Sequence, residues 1–360
     1  MLGVLRRPRL SGVDAASLRR PLLGPFAFGL GGVALIGVFS LLWGAADIPP
    51  MTVVRILLYH LGLPVEVDWP RSWDAIVWEV RVPRMLLAGL VGATLAYSGT
   101  TYQGVFRNPL ADPYLIGVAA GAGLGAALVI VSPLPYTLGP LSPVPAAAFL
   151  GAMTAVTITY LLARVGPVVP TVTLILAGTA VSSVGTAAVS YLMLIDDNRA
   201  LSLLSWLLGG FNTASWERVW LLVPYALLGG LVLLPFGRAL NVLQLSEDQA
   251  RQLGVNVEAL KVGLLVVASL ATAAAVAVSG IIGFVGLVVP HIARLLWGPD
   301  YRRLLPMSAL VGASFMILAD LVARSIAPPH EIPVGIVTAF AGAPFFLYLL
   351  RRQRRASLYA

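Results

Sequence analysis

A chain of 360 residues that is 58% hydrophobic and only 11% charged, with a mean hydropathy of +0.89, cannot keep a soluble domain dissolved, and it reads as an all-α polytopic membrane protein. The absence of cysteine excludes disulfides, thiolate metal sites and cysteine nucleophiles. Of the 24 basic residues behind the net charge of +8 only Lys261 is a lysine, set in Leu-Lys-Val, so the chain has no Gly-Lys-Ser/Thr loop and any nucleotide must be bound elsewhere.

Residues 1–23 form a basic N-terminus carrying Arg6, Arg7, Arg9, Arg19 and Arg20. The apolar run from Gly24 to Gly44 follows and is long enough to span a bilayer. A signal peptide would have a shorter apolar core and a better cleavage site than Gly44-Ala45-Ala46. Ala45 to Val80 contains Trp69, Trp73 and Trp78 among mixed charges, which predicts a segment along the outer interface with a short helix over Thr52 to Leu61.

Nine more spans are predicted, at about Arg81 to Gly104, Tyr114 to Ser132, Val144 to Arg164, Thr171 to Ile195, Val219 to Phe236, Val262 to Gly280, Ile281 to Trp297, Leu304 to Ser325 and Pro333 to Leu350. The total is ten, and an even number puts both termini on one side. Between the seventh and eighth only the glycines at 280 and 283 suggest a turn. Small residues crowd the fifth span from Ala177 to Ala188, a pattern that serves either tight helix packing or the lining of a wide pathway.

The most polar internal passage is 237–261. Ser246, followed by Glu247, Asp248 and Gln249, forms a capping box with Leu245 and Ala250 as its staple, and Gly254 after Leu253 supplies a left-handed stop. The predicted helix is about two turns long, too short to persist alone in water. By itself the passage fits a membrane-surface linker equally well.

With the N-terminus in the cytoplasm, 17 basic residues lie inside and seven outside, namely Arg55, Arg71, Arg81, Arg84, Arg199, Arg218 and Arg324. That bias satisfies the positive-inside rule, so the net charge calls for no nucleic-acid partner. Ala96-Tyr97-Ser98-Gly99 and Ala277-Val278-Ser279-Gly280 share a constant offset, which also relates Pro109 to Pro290. The copies fall in the second and seventh spans, which run in opposite directions, as in an inverted-topology repeat. The spans are almost free of charge. Asp320 and Arg324 form an i,i+4 pair, and His291 beside Pro290 reads as structural. A stand-alone ion-driven carrier would bury a coupling site that is not visible, a scaffold would need no repeat, and no residues suggest catalysis or a metal site.

Four stretches carry a resemblance: RVPRMLLAGLVGATLAYSGTTYQGVFRNPLADPYLIGVAAGAG (81–123), LNVLQLSEDQARQLGVNV (240–257), SGIIGFVGLVVPHIARLLWGPDYRRLLP (279–306) and EIPVGIVTAFAGAPFFLYLLRR (331–352). Together they resemble the permease family of ATP-binding-cassette importers for iron-siderophores, haem and vitamin B12. The resemblance implies a transmembrane permease domain over 24–350, a cytoplasmic coupling segment at 237–261 and a basic cytoplasmic tail at 351–360. It also implies a bacterial or archaeal inner membrane, a homodimer with the pathway on its two-fold axis, two partner ATPases that bind ATP and magnesium, and a substrate-binding protein outside. No cofactor is implied on this chain. Ser246, Glu247, Arg251, Leu253 and Gly254 correspond to the helix that couples to the ATPase, Arg55 and Arg324 to docking of the binding protein, and Asn108, Leu110 and Thr171 to the inner gate. Tyr97, Tyr102 and Tyr191 are candidates for contact with a planar ligand or for interfacial anchoring.

Overall fold

The computed structural model describes residues 23–44, 46–133, 142–245, 247–327 and 330–358; the N-terminal arginines and Ser246, with its capping box, lie outside them. Helix α1 (Leu23–Leu42) leads to a small cap, α2 (Pro50–His60) and α3 (Arg71–Ala75), and a π-helical turn at Ile76–Arg81 continues into α4 (Val82–Phe106). A 3-10 turn at Pro113–Ile116 opens α5 (Val118–Val131), followed by α6 (Pro143–Ala163), α7 (Thr171–Ile195), α8 (Asp197–Leu207) and α9 (Trp216–Leu233). The short α10 (Gly237–Leu243) and α11 (Glu247–Gln252) precede α12 (Val257–Ser279), α13 (Val285–Trp297), α14 (Tyr301–Ser325) and α15 (Val334–Leu358). Among the described residues the only extended pairing is an isolated bridge between Val165 and Val168. The ten predicted spans are α1, α4 to α7, α9 and α12 to α15, and α2 matches the predicted interfacial helix.

Side-chain caps explain where several helices begin. Ser142, Ser215, Asn256 and Asp300 precede α6, α9, α12 and α14, and each accepts a backbone N–H of the first turn, from Val144 (3.4 Å), Arg218 (3.4 Å), Ala259 (3.1 Å) and Arg302 (3.0 Å). Prolines fall early in α2, α4 and α6, where a missing N–H costs nothing.

Six apolar stretches, corresponding to α1, α6, α7, α9 continued into α10, α12 and α14, are long enough to cross a membrane by length and composition. Helix α4 is not among them although it has 25 residues, because it carries Thr94, Tyr97, Ser98, Thr100, Thr101, Tyr102 and Gln103. All seven are buried, since α4 is wrapped by α9, α12, α13 and α14 and faces protein instead of lipid.

Close approach requires small residues. A Cβ on Gly92 would stand 2.2 Å from the Gly312 carbonyl, and one on Gly99 would stand 2.1 Å from that of Gly286. Helices α4 and α14 run antiparallel, since Gly104 meets Tyr301, Gly92 meets Gly312 and Arg84 meets Asp320. The turn expected near 280 is present: α12 stops at Ser279, Gly280 has φ +70°, and α13 begins after Phe284, which also has positive φ. The two copies of the repeat therefore differ locally. Gly99 lies inside α4, whereas Gly280 terminates α12.

Candidate functional site

At the end of the bundle where α10 and α11 lie, the polar passage is tied to three neighbours. Arg107 closes α4 with φ +50°, and its Nε donates to the Leu243 carbonyl. Gln244 Nε2 donates to the Gly104 carbonyl at 2.9 Å, also on α4. Asn241 donates to Asp300 (2.7 Å) and accepts from the Tyr301 N–H (3.0 Å), which fixes α10 to the start of α14. Burial alone would raise the Asp300 carboxyl, but hydrogen bonds from Arg302 and Asn241 outweigh it and hold the pKa at about 2. Beyond α11, Glu258 Oε1 accepts the Val169 N–H at 2.6 Å and so joins the first turn of α12 to the approach to α7.

The stop after α11 forms as expected. Gly254 has φ +79°, and the Val255 N–H reaches back to the Ala250 carbonyl at 3.3 Å, a 6→1 Schellman closure. Ala250 is buried, whereas Leu253 is 63% exposed. A Cβ at Gly254 would meet nothing within 4 Å, so only its backbone conformation demands glycine. Glu247 and Arg251 lie on α11 itself.

The three expected gate residues sit in different surroundings. Asn108 Oδ1 accepts the Leu110 N–H at 2.9 Å, so its side chain shapes its own loop, and Leu110 borders a small cleft beside His291 and Phe345. Thr171 begins α7 and lines a separate cavity of about 210 Å³ with Phe106, Leu174, Glu258 and Lys261. Helix α7 has two faces. Leu174, Gly178, Gly185 and Val189 are buried, and a Cβ on Gly178 would stand 2.1 Å from the Leu115 carbonyl. The opposite face exposes Thr179, Ser183, Thr186 and Ser190, and Thr179, Ser183 and Ser190 each return their hydroxyl hydrogen bond to a carbonyl four residues back. Packing therefore takes one side of the helix, while the hydroxyls stand on an exposed side.

At the far end, Arg324 is turned inward. Its side chain is 10% exposed, and it donates to the Ser40 and Trp43 carbonyls at the end of α1 while standing 3.6 Å from Asp320. The principal partner of Asp320 is Arg84, whose Nε and Nη2 reach it at 3.0 and 2.8 Å while Nη1 reaches Glu331 at 2.9 Å. Sequence distance concealed that bridge, because only the i,i+4 partner is visible along a helix. Arg55 pairs with Asp68 at 2.6 Å and stacks over Trp69 within the α2 cap.

A profile of the FecCD transport family matches residues 32–352. The chain belongs to that family. It is 42% identical over 345 residues to the ABC transporter permease protein YvrB of Bacillus subtilis, covering 94% of this chain and 96% of that one. It is 46% identical over 294 residues to the cobalamin import system permease BtuC of Halobacterium salinarum (81% and 78% covered) and 42% identical over 306 residues to the hemin transport permease HmuU of Yersinia pestis (82% and 90%). A solved inward-facing structure described as of a metal-chelate type ABC transporter superposes with a TM-score of 0.78 at 32% identity, covering 91% of this chain and 98% of that one. This FecCD protein is thus an integral membrane protein with a transporter permease fold. Tyr97 and Tyr102, two of the candidates for ligand contact or interfacial anchoring, point into the bundle. Both are buried, Tyr97 donating to the Ala226 carbonyl and Tyr102 sharing a 2.6 Å hydrogen bond with Ser269, whereas Tyr191 is exposed on α7. Among the described residues no group of three His, Asp or Glu side chains could hold a metal ion.

Proposed function

We propose that this FecCD protein is the membrane permease subunit of an ATP-driven importer for a large metal chelate such as a ferric siderophore, haem or a corrinoid. It works as a homodimer, receives its cargo from a binding protein on the α2 side and is driven by two ATPase subunits on the α10–α11 side. ATP and magnesium belong to those partners. Both termini are cytoplasmic, the chain sits in a bacterial or archaeal inner membrane, and the open face of α7 lines the pathway.

The observation that carries this reading is the α10–α11 passage. The six-residue α11, which would not persist alone, is closed by the Gly254 stop with Leu253 left outward, and the α10 segment that leads into it is fastened to α4 and α14. An element so held fits a partner's cleft better than it fits a slack linker. Glu247, Arg251, Leu253 and Gly254, with Ser246, are the proposed contact and geometry residues. Asn108, Leu110 and Thr171 border the inner gate, and Thr171 is linked to the coupling passage through Val169 and Glu258. Of the proposed docking cations, Arg55 lies on the outer cap and Arg324 holds the end of α1 that supports that surface.

The test is co-purification with candidate ATPases, followed by ATP hydrolysis in liposomes with binding proteins loaded with haem, a ferric siderophore or cobalamin. Stimulation by one loaded binding protein is expected and identifies the cargo. Uptake that persists without any ATPase would overturn the reading in favour of a stand-alone carrier.

A further inference from the structure

Where α12 ends, between α8 and the start of α9, lies a cavity of about 190 Å³ that none of the roles above uses. Its floor is pinned by the Gly210 N–H donating to the Ser279 carbonyl at 2.8 Å. Ser142, Ser202, Ser205, Asn212, Thr213 and Arg218 line it, and no carboxylate does. Ser202, Ser205, Asn212 and Thr213 are exposed, so the polar wall is accessible in this chain.

Arg218 is distinctive among the arginines of this end. Arg55, Arg84, Arg199 and Arg324 each stand within ion-pair distance of a carboxylate. Arg81 directs two nitrogens at the Leu41 and Ala46 carbonyls. Arg218 uses Nη1 alone, donating to Thr213 Oγ1 at 2.5 Å and to the Val278 carbonyl at 3.1 Å. Its neighbour Glu217 is exposed and acts on it by charge alone, with no ion-pair contact between them among the described residues. The Nε and Nη2 edge is therefore left without a hydrogen bond among the described residues, and that edge is the planar fork that donates to both oxygens of a carboxylate. Hydroxyl and amide groups nearby can complete the shell of such a ligand.

The volume is below the roughly 300 Å³ of a complete small-molecule site, so the cavity holds an acidic substituent and a few carbons, not a whole chelate. We propose that it is a carboxylate subsite, gripping one pendant carboxylate of an anionic cargo near the outer mouth. The proposal rests on the importer reading for its cargo, while its chemistry stands on the cavity alone.

Calorimetric titration of the detergent-purified full chain with citrate tests it, with inorganic phosphate as a second probe. Citrate is expected to bind, with affinity lowered about tenfold or more in Arg218→Gln and partly restored in Arg218→Lys, because a charge-assisted pair is removed and then half replaced. Since Arg218 also holds the end of α12, a second variant, Ser205→Ala with Asn212→Ala, leaves that contact in place and should weaken citrate as well. Citrate affinity unchanged in both variants, or the absence of citrate binding in a folded wild-type chain, would overturn the proposal; tighter binding of phosphate than of citrate would overturn the carboxylate assignment. The titration needs no ATPase, nucleotide or binding protein, so its failure is separable from failure of the importer reading.

Discussion

Six of the seven arginines that the sequence reading assigns to the outside are engaged within the fold, and four of them meet carbonyls at helix ends. Arg81 and Arg324 hold the end of α1, Arg199 donates to the Ile130 and Ser132 carbonyls after α5, and Arg218 holds Val278 near the end of α12. A cation at a helix C-terminus satisfies free carbonyls and complements the dipole, which gives outer arginines a purpose that a count of charges along the chain misses. Arg84 is the costliest to lose, because it would leave Asp320, whose side chain is 2% exposed, with only the longer contact to Arg324. Arg84→Ala should destabilise the protein by about 3–5 kcal/mol in a denaturant or thermal melt, whereas Arg84→Met combined with Asp320→Leu should recover most of the loss. Failure of the double variant to recover would mean that Glu331 or the α1 end depends on the guanidinium. Gly254 tests a different property. Gly254→Val places a side chain in open space but forces a left-handed backbone at a cost of about 1 kcal/mol or more, so the fold should survive while ATP hydrolysis proceeds without uptake. The Gly254 stop was legible because its signal is local. The Arg84 bridge was not, because its partners lie more than 230 residues away.

Among the elements, the apolar pattern located a helix for each of the ten predicted spans, yet apolar length alone qualifies six described stretches and could not say which helices touch lipid. Helix α4 shows why: its hydroxyls and amide look like a break in hydrophobicity until the surrounding helices are seen to bury them. The fifth span was likewise legible as small but not as two-sided, because both packing and lining select small residues. The packed contacts predict a sharp asymmetry. Gly92→Leu drives a side chain into the Gly312 carbonyl and the Met316 side chain and should abolish folding, read as loss of the monodisperse peak on size exclusion. Thr179→Leu, on the open face of α7, should purify normally and lose uptake. The inverted repeat was legible only as a pattern. One copy continues as helix while the other ends at Gly280, where the positive φ and the Trp206 carbonyl, 2.2 Å from where a Cβ would stand, both require glycine.

On the scale of the whole molecule, the hydroxyls of α7 stand exposed among the described residues, beside exposed Leu176 and Val184, while the exposed surfaces of α6 and α9 are largely leucine with the character of lipid-facing surface. A two-fold axis beside α7 would let two such faces enclose a path. The chain contains no cysteine, so single thiols can be introduced without background. Ser183→Cys should yield a dimer with a bifunctional thiol reagent in membranes, and Leu150→Cys on α6 should not; the reverse result would move the axis to α6. Finally, the fastening of the α10–α11 passage has a mechanical consequence. Two of its anchors are α4 and α14, which touch backbone to backbone at Gly92 and Gly312 and so behave as one stiff plate. The third is the approach to α7, reached by the hydrogen bond that Glu258 accepts from Val169. A push on the passage meets a stiff plate on one side and a separate helix on the other, so the stroke should be felt as tilt of α7 while α4 stays still.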